Sequence, residues 1–182
     1  RLVGSEMCIR DSDITLSGTV DGTYALTLNS TGVTRLNGVI GGTYALTSLT
    51  TQTGGTLMMN AGVVNTTGAQ SYGQAVNLGA DTEMNAGGGS VTFVGSVDGA
   101  HALTINSTGT TIFSGAVGAL TPLNSLTTDV GGMVLIGTST VNTTGAQTFN
   151  EVVSLLGSTT LSGSSVTFND AVLGAGDLAV MG

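Results

Sequence analysis

Apolar residues alternate with Thr, Ser and Asn along short pieces of this chain, as in ALTL at 25–28, SVTFV at 90–94 and HALTI at 101–105. A period of two places every second side chain on one face of a strand. The pieces stop at Gly, at Asn-Ser-Thr-Gly or at Asp-Gly, residues that reverse a backbone cheaply. No window of ten residues carries a helical pattern. The spacing therefore predicts short strands throughout, each burying one row of side chains.

Internal repeats organise these strands. An offset of 77 aligns 18–32 with 95–109 at 11 identities in 15 positions. The same offset pairs Leu46 with Leu123, SLTT at 48–51 with SLTT at 125–128, and VNTTGAQ at 64–70 with VNTTGAQ at 141–147. SVTF at 90–93 matches SVTF at 165–168 once two residues are dropped from the run Gly87, Gly88, Gly89. Two long repeats, 13–89 and 90–164, are followed by the start of a third at 165–182, and the stop at Gly182 reads as an artificial end. Within the first, GTYALT at 22–27 recurs at 42–47, an offset of 20. One quarter of 77 is about 19, so rungs of about 19–20 residues are expected, four to a long repeat and about nine in all. Such a unit is too short for helical repeats, and the asparagine consensus of leucine-rich repeats is absent. A coil that returns on itself and stacks each strand on its equivalent is a parallel β-helix, or β-solenoid.

Composition agrees with that geometry. Gly, Thr, Ser and Asn occupy 89 of 182 positions, while 8% of residues are charged against roughly 25% in an average soluble domain. A narrow interior filled by Leu, Val, Ile and Ala has little room for large rings, and aromatic residues make up 4% of the chain. Glycine and asparagine suit the corners, and threonine suits strands through its β-branch. A mean hydropathy of +0.39 argues against disorder. No apolar run approaches the about 18 residues of a membrane helix. Three basic residues against eleven acidic ones cannot neutralise a run of phosphates, so no nucleic-acid partner is expected.

The first twelve residues break this pattern. They hold two of the three Arg and the single Cys, Cys8. Residues 2–12 resemble the translated end of a transposase adapter used in sequencing libraries, so 1–12 is expected to be a non-native segment that forms no ordered rung. Cys8 then carries no redox or metal argument. From Asp13 onward there is no cysteine, which fits a cell exterior.

The iterated ALTSLTT, NTTGAQ and VTF segments over 13–182 resemble the repeat regions of filamentous haemagglutinin-like and autotransporter adhesins. That resemblance implies a right-handed β-helical shaft in a very large bacterial protein, secreted through an outer-membrane pore and placed at the cell surface. It implies a role in adhesion or biofilm, with host-cell or surface glycans or proteins contacted through other parts of the parent chain.

Chemistry is sparse. His101 stands where the first repeat has Tyr24, Arg35 corresponds to Ile112, Asp81 to Ser158, Glu83 to Thr160 and Glu151 to Gln74. Charges exchanged for neutral residues between copies read as solvated outer positions. Asp21 and Asp98 are retained, each before Gly, and read as tight turns closed by an Asx hydrogen bond. The segment 174–177, GAGD, lacks the tandem spacing of calcium-binding solenoids. One Arg and no Lys after residue 12 do not suit the polysaccharide lyases built on β-helices, and the triple glycine lacks the Lys and helix of a phosphate loop. Four sequons, at Asn29, Asn65, Asn106 and Asn142, read as turn and ladder asparagines rather than glycosylation sites. TGT at 108–110 and TST at 138–140 have TGV and AGV as repeat equivalents, so no ice-binding threonine array is built. The reading is a non-enzymatic structural or adhesive shaft with no catalytic, cofactor-binding or metal-binding residue and no cofactor. A β-helical carbohydrate-active enzyme or an ice-binding solenoid is the alternative.

Overall fold

The computed structural model describes residues 6–182, with side chains from Ser12 onward. Residues 1–5 of the segment read as adapter-derived lie outside the described residues. Strands of two to six residues, with no helix among the described residues, follow one another along the chain. Their pairings are parallel, and each strand meets its partners in the turns below and above. Along Ala25–Ser30 and Val33–Leu36 alternate side chains are buried, as the period of two requires.

Three faces enclose the core. The first is a nine-stranded sheet running from Glu6–Asp11 to Val172–Gly174, so the chain completes eight turns. The second consists of a five-stranded and a three-stranded sheet, joined where Val117 bridges both Val97 and Val141. The third is a six-stranded sheet, continued by the bridges Val64–Ile40 and Ile40–Val20. The protein is a parallel β-solenoid.

The strand Glu6–Asp11 corrects the expectation that residues 1–12 form no ordered rung, since it pairs with Ala25–Ser30 over six positions. A parallel edge offers unpaired N–H and C=O groups to any extended backbone, whatever its origin.

Register also corrects the rung count of the long repeat. Leu26 pairs with Leu49, Leu49 with Gln70 and Gln70 with Val91, which makes three turns on the first face. The chain then crosses the second face at Val97 and reaches Leu103 on the third. Leu103, the equivalent of Leu26 in the next long repeat, is thus three turns and two faces away, not four turns. The same displacement carries Leu57 on the second face to Val134 on the first, and Val64 on the third to Val141 on the second. Each long repeat is the previous one rotated by one face. The cause is turn length. The turn from Met133 to Val152 is short and that from Ile40 to Val64 is long, because corner loops differ in size while strands keep register. The repeated GTYALT lies out of register for that reason: Ala25 pairs with Ser48, so Tyr24 is nearly buried at 8% exposure while Tyr44 is exposed at 64%.

In and out survive the rotation. Leu26, Leu103, Leu49 and Leu126 are all fully buried. Truncating one of them to Ala would cost about 2–5 kcal/mol, because a close-packed column cannot refill the cavity. The interior also holds more aromatic mass than expected. Tyr72, Phe93 and Phe113 stack at centroid distances of 5.1 and 5.3 Å, and Phe149 stacks on Phe168 at 5.4 Å. Register aligns rings from successive turns face over face, so a narrow cross-section accepts aromatic side chains when its neighbours supply them too. The second stack repeats the first one face further round.

Candidate functional site

The side chains with chemical potential are mostly engaged in holding one turn to the next. The carboxylate of Asp21 accepts hydrogen bonds from the backbone N–H groups of Thr43 and Tyr44 at 2.8 and 3.2 Å. Asp98 accepts from Leu120 and Thr121 at the same two distances. These bonds replace the Asx turn expected at Asp-Gly. Gly22 and Gly99, at φ 139° and 125°, make the corner, and the preceding carboxylate faces the loop of the following turn. Asp13 takes the N–H of Val33 at 2.7 Å, and Asp129 takes that of Ser107 at 3.0 Å, one turn away in each case.

His101 and Asp81 form the one mixed pair of ionisable side chains within salt-bridge distance among the described residues, Nδ1 to Oδ1 3.3 Å. Asp81 also accepts the Ala102 N–H at 2.9 Å. That backbone bond, and then the His101 ring, holds its carboxyl below the usual aspartate range. Asp81 also borders an open hollow, with Gly62, Thr82, Glu83, Ala102 and Thr104. Glu83 accepts from the Asn106 amide at 2.9 Å, and Arg35 stands in a strand between Thr15 and Met58. The structure brings Asp81, Glu83 and His101 to one face and leaves Arg35, Asp21 and Asp98 elsewhere. Among the described residues no three His, Cys, Asp or Glu side chains converge in a way that could hold a metal ion. No helix among them is long and apolar enough to cross a membrane.

Two of the four sequon asparagines belong to a ladder. Asn106 donates to Asn85 at 2.7 Å, Asn85 to Asn65 at 2.8 Å, and Asn65 to the Gly41 carbonyl at 3.0 Å.

The retained glutamine of NTTGAQ has a role that its retention alone signalled. Gln70 is fully buried, and its Nε2 faces the Val64 carbonyl, the Thr66 hydroxyl and the Asn85 carbonyl of the next turn at 3.1–3.2 Å. Gln147 repeats this with Val141, Thr143 and Ser162. Each glutamine braces a corner from inside. Tyr72 donates its hydroxyl to Gln70 Oε1 at 2.7 Å, and burial holds that hydroxyl far above its usual range, so it remains a donor.

Glu151 was expected at a solvated position and is the exception. It is 2% exposed, and neither carboxylate oxygen has a hydrogen-bond partner. Burial raises its pKa from 4.5 to about 7, with the charge of Asp129 adding to the effect. The Thr128 hydroxyl and the Gly132 N–H lie nearby, outside hydrogen-bond geometry, and ease the rise slightly. The charge pattern could not reveal this, because the surrounding groups come from two earlier turns.

Comparison with known proteins finds no matching family model, no matching curated protein and no matching solved structure.

Proposed function

We propose that the chain is a structural and adhesive shaft, a rod segment of a large secreted bacterial surface protein, and that it catalyses no reaction. One observation carries this reading: the carboxylates of Asp13, Asp21, Asp98 and Asp129 and the amides of Gln70 and Gln147 are bonded to backbone groups of neighbouring turns. Side chains used in this way rigidify the stack instead of meeting a substrate. The absence of cysteine after residue 12 and the resemblance to haemagglutinin-like and autotransporter repeats support a place outside the cell or on its surface. Contacts with host glycans or proteins would lie elsewhere on the parent chain, and the stack would contribute length and resistance to proteases.

The test pairs a chelator titration of the melting temperature with a polysaccharide-cleavage screen. A passive shaft keeps its melting temperature in chelator and cleaves nothing. Ion-dependent stability, or glycan cleavage that disappears in His101→Ala, would replace the shaft by a functional site around His101 and Asp81.

A further inference from the structure

The two long repeats differ at one interior corner in a coupled way. Gln52 and Gln74 of the first are replaced, at the equivalent positions of the second, by Asp129 and Glu151. In the first, Gln74 is buried and donates its Nε2 to the carbonyl of Ser30 at 3.3 Å, reaching past an intervening turn to a residue 44 positions earlier. In the second, the carbonyl of Ser107 stands at the same separation before Glu151 and takes the place of Ser30. The Cβ position of Gly132 is bordered by the Gly109 carbonyl oxygen, by Glu151 Oε2 at 2.6 Å and by the Ser107 carbonyl oxygen at 2.9 Å, so three oxygens converge on one small space, and that of Gly109 already accepts the Met133 N–H. All three are acceptors when Glu151 is ionised, and a buried group of acceptors without a proton between Glu151 and Ser107 is unfavourable. Asp129 is the ionisable group that acts on this carboxyl from the turn below, and it carries the same sign. The other groups that face it, the Thr128 hydroxyl and the backbone of Gly132, are neutral.

We propose that Glu151 is a proton-operated latch: its neutral carboxylic acid donates to the Ser107 carbonyl and ties two turns together, as the Gln74 amide does permanently in the first repeat. A proton taken from solvent forms the O–H bond on the carboxylate and cancels its charge. Loss of that proton leaves two carboxylates and a carbonyl crowded at the corner. The corner is therefore locked in mildly acidic surroundings and loosens as they become neutral or alkaline.

The sign follows from the direction of the shift. A folded-state pKa near 7 against 4.5 in the free side chain means that the folded chain holds the proton more tightly. The latch's contribution is complete below the lower value, falls as pH rises between the two, and is absent above the higher. The folding equilibrium constant of the wild type relative to Glu151→Gln should fall by up to about tenfold per pH unit across that window, on the order of 100-fold in total.

The experiment measures denaturation of the full chain from pH 4 to 9 for the wild type and for Glu151→Gln, which restores the first repeat's residue. The two should be about equally stable at pH 4, with the variant increasingly the more stable up to neutrality and by a constant margin above it. A difference that does not change with pH overturns the proposal. Should the variant fail to fold, the side-chain carboxyl 13C shift of wild-type Glu151 decides. A midpoint near neutrality upholds the latch, and one at the ordinary glutamate value of about 4.3 overturns it. Repeating the titration with calcium adds a second condition. An unchanged midpoint supports a proton, and a midpoint pulled down by calcium would make the corner a cation site and overturn the latch.

Discussion

At the end of residues 64–70 both polar atoms of the Gln70 amide are engaged, whereas at the end of 141–147 the Gln147 oxygen is buried without a partner. The seven residues are identical in the two copies. After them Ser71 becomes Thr148 and Tyr72 becomes Phe149, and with the second change the hydroxyl that closes the first bracket is missing from the second. A buried acceptor left in this state costs about 1–3 kcal/mol. The second corner retains the amide's three donor contacts and folds to the same shape on another face. The bracket's donor side therefore fixes the corner, and its acceptor side adjusts how firmly the corner is held.

The aromatic stacks offer the largest contrast. Phe93 lies between Tyr72 and Phe113 and is fully buried, whereas Phe149 stacks on one ring, Phe168, which is only partly buried. Phe93→Ala should destabilise by about 3–5 kcal/mol and Phe149→Ala by less, measured by chemical denaturation of both variants. Equal losses would mean that stacking on two sides adds nothing to burial.

The glutamine brackets come next. Gln70→Leu should cost on the order of 2–4 kcal/mol and exceed Gln147→Leu by about 1 kcal/mol, since the first also orphans the Tyr72 hydroxyl. Conversely, Phe149→Tyr gives Gln147 the missing donor and should recover about 0.5–1.5 kcal/mol. A destabilised Phe149→Tyr would show that the two corners differ in more than that hydroxyl.

Much of this was legible in the sequence, and the illegible part has a definite physical cause. Alternation in ALTL and HALTI separates inward from outward residues, and Leu26 and Leu103 are buried as that pattern requires. Alternation carries no information on which of three faces a strand joins. That depends on corner lengths, and the recurrence of GTYALT misleads because the turn containing it, from Ala25 to Ser48, is longer than the spacing of its two copies. The bracket was half visible, since Gln70 and Gln147 are retained while most surrounding charges change. Glu151 was invisible because the groups that bury it come from other turns, around Ser107 and Thr128.

Smaller effects separate the acidic caps. Asp98 is 5% exposed and Asp21 more so, although both accept two backbone N–H bonds from the next turn. Asp98→Ala should cost about 1–2 kcal/mol and Asp21→Ala less, because water can replace the lost acceptor only at the more open corner. His101→Tyr, which installs the first repeat's residue on the open face, should leave the melting temperature unchanged within error. A marked shift would give the His101–Asp81 pair a weight that its exposure does not suggest.

The rotation of one long repeat against the next is the claim on which these comparisons rest, and inter-label distances test it directly. With Cys8 replaced by Ser, nitroxide pairs would be placed at Thr27 and Ile112 and, separately, at Thr27 and Thr104. Register carries Thr27 through Thr50, Ser71 and Thr92 to Ile112 on the first face, four strand spacings or about 19 Å apart. Thr104 is nearer in sequence but lies on the third face. With the repeats rotated by one face, the Thr27–Thr104 distance is expected to be the longer of the two. A Thr27–Thr104 distance of about 19 Å, shorter than that of Thr27–Ile112, would place the repeats in line at four turns each and contradict that rotation.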